Sequence, residues 1–205
     1  MTFKEGKFLV KTLGTQGELE QAYRIRHTVF AEQLAWVPRV PLCLDTDKYD
    51  AWSTSIGVFD DACMLATMRI TQAPAQFMLE SEFGQALLGG HKVRKEPDTF
   101  EISRFAVDPT MKTAGLSFSL LMILLKGIYQ WGRLHDSFMV YFVVEHRLLR
   151  AIQRLKIPAQ AIAEAVLIPP ANVRTVAAVL DLDELREKAD EVRPGLVAWF
   201  DTLST

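Results

Sequence analysis

Residues 100–115 read Phe100-Glu101-Ile102-Ser103-Arg104-Phe105-Ala106-Val107-Asp108-Pro109-Thr110-Met111-Lys112-Thr113-Ala114-Gly115. The first half is rich in β-formers and alternates, so it reads as a strand. Asp108-Pro109 stops it, because proline donates no ladder hydrogen bond and disfavours helix before it. A loop with Lys112, Thr113 and Gly115 follows, and an apolar helix starts near Leu116. Strand, small-residue loop and helix N-terminus form a geometry that can hold an anion on backbone N–H groups. The alternation breaks once: Phe100 and Ile102 share a parity, and Phe105 and Val107 have the other. A bulge or splay between Ile102 and Phe105 is therefore expected, of the kind found beside active sites.

Outward from this strand, residues 8–13 read as a strand and 18–33 as a helix. Residues 37–46, with Pro38 and Pro41, read as irregular. Residues 53–59 and 64–71 read as a hairpin turning at Asp60-Asp61. A short helix over 77–88 is stopped by Gly89-Gly90, and a charged loop spans 91–98. After the helix over 116–133 comes an almost wholly apolar strand, 137–144, of the kind buried on both faces. A helix over 145–155, strands at 166–168 and 173–180, a helix over 183–191 capped by Asp181 or Asp183, and a last strand over 196–200 complete the order. Strands, crossover helices and a hairpin in this mixed order predict an α/β fold. It is a single three-layer α/β/α domain over 1–205 with a mixed, splayed central sheet.

The 205 residues are 49% hydrophobic and 23% charged, which supports a sizeable core and excludes disorder by composition. A net charge of −2 argues against a nucleic-acid binder. Cys43 and Cys63 make no disulfide framework and suit a reducing compartment. The N-terminus leads into no signal-type apolar run, and the apolar stretch 116–128 is too short to span a bilayer. A soluble cytoplasmic protein without membrane contact is expected.

Several charges sit where the pattern calls for apolar residues. Arg26 lies on the inner side of the first helix, Arg69 in the run 64–70, and Glu101 and Arg104 in the central strand. Asp45, Asp47 and Asp50 precede the hairpin. Lone buried charges are costly, so these groups pair with each other or with a ligand. An ionic network lining a polar-ligand cleft and a purely structural network both fit.

Arg26-His27-Thr28-Val29-Phe30, Trp36, Asp47-Lys48-Tyr49-Asp50, Arg69, Phe83 and Glu101-Ile102-Ser103-Arg104-Phe105 together resemble the acyl-homoserine-lactone synthases, the autoinducer synthases of bacterial quorum sensing. Order and spacing agree over about residues 23–107 and fade beyond 158. The resemblance implies a GNAT-like fold. It also implies transfer of an acyl chain, from acyl carrier protein or acyl-CoA, to the amine of S-adenosylmethionine. Lactonisation with release of methylthioadenosine follows. S-adenosylmethionine is then a substrate, and neither a metal nor a further cofactor is implied. The chain departs from the family at Leu155-Lys156-Ile157, where members often carry Gly-Trp, and in its proline-rich segment before Asp47.

On this resemblance Glu101 holds or deprotonates the amine, and Arg104 and Asp47 join it in the catalytic set. Arg26, Phe30, Trp36, Asp50, Arg69, Phe105, Phe142 and Val144 form the substrate-binding set. Large side chains of 137–144 and of the helix before it bound an acyl tunnel. Arg147, Arg150 and Arg154 lie on one helix face and suit docking of an acidic carrier, with Lys92, Arg94, Lys95 and Lys112 as further cations. A different amine acceptor, or a non-catalytic acyl- or nucleotide-binding module, are the alternatives.

Overall fold

The computed structural model describes residues 1–111, 113–170 and 172–202. The strands are β1 (Thr2–Glu5), β2 (Phe8–Thr12), β3 (Thr54–Asp60), β4 (Cys63–Gln72), β5 (Thr99–Val107), β6 (Met139–Glu145), β7 (Gln160–Ala161), β8 (Val166–Ile168) and β9 (Val173–Asp181). The helices are α1 (Gln16–Arg26), α2 (Gly84–Leu88), α3 (Ala114–Leu134), α4 (His146–Arg154), α5 (Leu182–Val192) and α6 (Leu196–Asp201). Among the described residues no helix is long and apolar enough to cross a membrane. The chain divides into two compact units, one comprising Met1–Ile70 with Arg104–Trp131, the other Thr71–Ser103 with Gly132–Thr202.

In the first unit β1 to β4 form an antiparallel meander, each pairing with the next. The β3–β4 register shifts between Val58 and Phe59, and Asp61 makes the turn with φ +52°. The later part of β5 runs beside β4, where the Asp108 N–H donates to the Leu65 carbonyl at 2.8 Å. Thr15 caps α1: its hydroxyl accepts from the Glu18 N–H, and a Glu18 carboxylate oxygen accepts from the Thr15 N–H.

Leu13, Ala22, Ile25, Phe30, Phe59 and Met64 pack together, with Leu9 against them, and this cluster seats α1 on one sheet face. Strand alternation sends the neighbouring Val10 to the other face. There α3 lies close: a Cβ at Gly127 would stand 3.0 Å from Met68 and 3.8 Å from Val10. Helix, sheet and helix thus make the three expected layers within this unit. Fully buried Lys126 of α3 pairs with Glu5 at 2.6 Å, tying β1 to the helix.

In the second unit β5 pairs in parallel with β6, Thr99–Ile102 against Met139–Phe142. β6 pairs antiparallel with β9 along its whole length, and β7 and β8 also pair with β9. Val140, Tyr141, Phe142 and Val144 are all buried, as expected for a strand covered on both faces. Phe77, Leu79 and Leu87 pack on Tyr141 and Ala177. Asp181 caps α5, accepting from the N–H groups of Asp183 and Glu184.

Three local expectations are corrected. The helix expected over 18–33 is α1 followed by a π-helix, His27–Gln33. Residues 79–88 likewise form a π-helix, Leu79–Phe83, and then α2. The strand expected over 196–200 is α6: a short apolar run has no periodicity to decide, and Leu196 and Phe200 bury one helical face at i, i+4. The strands β1 and β7 were not foreseen, being short and polar or small in composition.

The break in alternation in β5 has a physical counterpart. Arg104 sits in the strand with φ +52°, a rare conformation for a residue bearing a Cβ. The parallel β5–β6 pairing runs from Thr99 to Ile102 and stops before it.

Candidate active site

In the first unit, three arginines and three aspartates converge. Arg26 is buried at the end of α1. Its Nη1 and Nη2 meet the two oxygens of Asp50 at 2.7 and 3.2 Å, and its Nε meets Asp45 at 3.2 Å. Arg69, from β4, bonds Asp47 and reaches Asp50 at 2.9 Å. Arg104, from β5, places Nε 2.7 Å from Asp45 and Nη2 2.9 Å from Asp47. The formal charges cancel, three against three. All three guanidiniums are almost fully withdrawn from water, which is tolerable only with such pairing.

The aspartates are held by local turn chemistry. Asp47 caps the 3-10 helix Lys48–Trp52: its side chain accepts from the Tyr49 N–H at 2.9 Å, while Asp50 accepts from the Asp47 N–H at 2.8 Å. The Asp45 N–H donates to the Tyr23 carbonyl of α1. Each carboxylate oxygen of Asp47 and Asp50 therefore already has an arginine. As placed, these carboxylates hold the arginines and the loop.

Electrostatics follow from burial against pairing. Burial alone would raise the Asp50 carboxyl, but the Arg26 hydrogen bond and the charges of Arg26 and Arg69 hold it below the usual range. Burial likewise opposes the charge on Arg26, and Asp50, Asp45 and Asp47 more than offset it. For Arg104 burial wins over Asp45 and Asp47, with Arg26 and Arg69 adding repulsion, and its guanidinium falls below the ordinary value.

Aromatic rings flank the cations. Arg26 stands 5.1 Å from the Tyr23 ring, Arg69 5.4 Å from Tyr49 and Arg104 5.3 Å from Phe30. Phe30 stacks on Trp36 with centroids 6.0 Å apart, and the Trp36 N–H donates to the Phe30 carbonyl through the backbone at 2.8 Å. The indole Nε1 of Trp36 is buried and has no hydrogen-bond partner among the described residues. Phe105 follows Arg104, next to Ala106 of the α1-side cluster, so alternation turns its side chain to the other face.

In the second unit Glu101 is buried, and its two oxygens accept from the backbone N–H groups of Met78 at 2.8 Å and Leu79 at 2.6 Å. These donors stand at the N-terminal end of the π-helix Leu79–Phe83, where N–H groups lack helical partners. No side-chain motif could have announced them, because the donors are main chain. Glu101 pairs in register with Tyr141. The Tyr141 hydroxyl contacts His91 Nε2 at 3.0 Å and accepts from the Arg94 N–H. Phe142 and Val144, two apart on β6, share a face and are buried.

Arg147, Arg150 and Arg154 are all exposed on α4, with Leu149 and Ile152 buried between them. Arg147 also pairs with Glu145. Of the other cations, Arg94 is bidentate to Asp98 and Lys95 bonds Glu80 at 2.8 Å, so both are engaged within the unit. In the loop after β5, Asp108 accepts from the Thr110 N–H at 2.9 Å and hydroxyl at 2.8 Å. Lys112, the expected phosphate contact there, lies outside the described residues.

The autoinducer synthase family model matches residues 11–190. An acyl-homoserine-lactone synthase of Aeromonas salmonicida is 27% identical over 169 residues, covering 80% of this chain and 80% of that protein. Among solved structures, the AHL synthase LasI has a TM-score of 0.77 at 19% identity, covering 85% of this chain and 90% of that one. The CoA-dependent acyl-homoserine lactone synthase BjaI, solved with SAM and isopentyl-CoA, has a TM-score of 0.73 at 19% identity, covering 93% of this chain and 86% of that one. The fold is the mixed α/β, GNAT-like one of these enzymes.

Proposed function

The chain belongs to the autoinducer synthase family, and from this premise we propose that it is an acyltransferase making an N-acyl-L-homoserine lactone. The acyl group moves from an acyl thioester to the α-amine of S-adenosylmethionine. The amine nitrogen attacks the thioester carbonyl and the donor thiolate leaves, taking the proton that the amine sheds. The methionyl carboxylate oxygen then attacks the carbon attached to the sulfonium. That C–S bond breaks, the lactone closes and methylthioadenosine leaves.

The attacking amine must be neutral, so a carboxylate that holds the ammonium and receives its proton is needed. Glu101 takes that role, directly or through water; its carboxylate is oriented by two N–H donors before substrate arrives. The indole N–H of Trp36 is a donor awaiting an acceptor, suited to an oxygen or nitrogen of the substrate. Arg26, Arg69 and Arg104, locked by Asp45, Asp47 and Asp50, fix the segment on which Trp36 is carried. Phe142 and Val144 wall the acyl chain. Arg147, Arg150 and Arg154 receive an acidic carrier when the donor is carrier-bound.

The match over residues 11–190 carries this reading. The test is incubation of the pure protein with S-adenosylmethionine and a panel of acyl-carrier-protein and acyl-CoA donors. Methylthioadenosine and a lactone of matching mass are expected. No lactone with any donor overturns the proposal. An amide of another amine, or ligand binding without turnover, identifies the corresponding alternative.

A further inference from the structure

Among the described residues, one set of three metal-ligating side chains has donor atoms all within 4.8 Å of one another: His27, Glu32 and Cys43. All belong to the first unit. His27 and Glu32 are five apart. In an α-helix that spacing turns the side chains about 140° away from each other. The π-helix His27–Gln33, with its i to i+5 bond from the Leu34 N–H to the Val29 carbonyl at 3.0 Å, winds more slowly and brings them to one side. His27 Nδ1 then stands 3.3 Å from a Glu32 oxygen. Single π turns are uncommon and concentrate at functional sites. Cys43 arrives from the irregular segment before Asp45, on a backbone with φ +53°.

A second observation points to a ligand. His27 is buried, and its Nδ1, beside Glu32 at 3.3 Å, is an interior polar atom without a well-directed hydrogen-bond partner, while a ring nitrogen of His27 lies within 4.8 Å of the Cys43 sulfur. Glu32 and Cys43 are exposed, so an ion can reach them. The nitrogen, sulfur and carboxylate donors suit a borderline divalent cation with water in the fourth position.

We propose that His27, Glu32 and Cys43 form a site for a divalent cation of the zinc class, which clamps the segment carrying Trp36 and Asp45 onto the π-helix. On binding, Cys43 gives its thiol proton to solvent and Glu32 binds as the carboxylate. His27 binds through Nδ1 with its single ring proton on Nε2. That nitrogen now faces the Val40 N–H at 3.3 Å, so the contact is exchanged for the metal bond. No electron changes hands.

The experiment is titration of the full chain with cobalt(II), followed by competition with zinc(II). One equivalent should give visible bands of tetrahedral cobalt and a near-ultraviolet thiolate charge-transfer band. Zinc should abolish both. Cys43→Ala should remove the charge-transfer band, while Cys63→Ala keeps it. Glu32→Gln, at an exposed position, should weaken binding by at least about tenfold. Absence of the bands, their loss in Cys63→Ala, or their persistence in Cys43→Ala overturns the proposal. So does an affinity unchanged in Glu32→Gln. Each readout is independent of turnover.

Discussion

Arg26 holds Asp50 by both carboxylate oxygens, with Nη1 at 2.7 Å and Nη2 at 3.2 Å. The pair joins the end of α1 to the 3-10 helix before β3, and Arg69 and Arg104 extend it to β4 and β5. Arg26→Met removes the fork and leaves three carboxylates against two guanidiniums, with Asp50 paired only with Arg69 and Asp45 only with Arg104. We expect a loss of about 3–5 kcal/mol, since breaking a buried pair leaves charge uncompensated. Arg26→Lys should restore only part, because an ammonium cannot form the fork. Urea unfolding measures both; a cost for Arg26→Met below 1 kcal/mol would contradict the network's role.

Glu18 gives a prediction in acid. Lys11, then the Gly14 and Thr15 N–H groups, hold its carboxyl at about 2 against an ordinary 4.5. The folded-state value is depressed, so the unfolded chain takes up the proton first. This group's stabilisation is present above pH 4.5 and is lost as pH falls from 4.5 toward about 2. Glu18→Gln should be less stable than the parent at neutral pH and approach it at the acid end. An unchanged difference across that window would refute this.

Glu101→Gln presents an amide where both Met78 and Leu79 offer N–H donors. It also removes the proton acceptor. Turnover should fall by about 10²–10⁴-fold, the range for general-base loss. Methylthioadenosine release at saturating substrates measures this; retained turnover would exclude Glu101 from the proton path.

Phe142→Ala should enlarge the acyl wall. Each additional buried methylene is worth about 0.8 kcal/mol, so preference should move toward longer chains. Mass spectrometry of the lactones reads the shift. An unchanged product distribution would mean that Phe142 is ordinary core.

Reversing Arg150 and Arg154 to Glu should slow turnover with carrier-protein donors, with the wild-type advantage shrinking at high salt. Turnover with acyl-CoA should change little. Equal slowing with both donors would point to damage within α4 instead.

What the sequence alone determined was the family, the α/β class and the residues of the ionic network. Those are read from chemistry that stands out locally: charges inside apolar runs, proline and glycine at turns, and one break in an otherwise regular alternation. The broken parity around Ser103 named the irregularity in β5 because a strand's side chains have period two, and any slip must show.

Tertiary structure decided the rest. Whether Asp47 and Asp50 face a ligand or their arginines depends on where β4 and β5 deliver Arg69 and Arg104, dozens of residues away. The donors that orient Glu101 are main-chain groups and leave no mark in the residue pattern. His27, Glu32 and Cys43 meet only because a π turn replaces an α turn, and helical periodicity in the sequence does not distinguish the two. The short run 196–200 carried no usable period, so its packing alone made it a helix. Local patterns record what each residue prefers; which distant groups meet is set when the whole chain has packed.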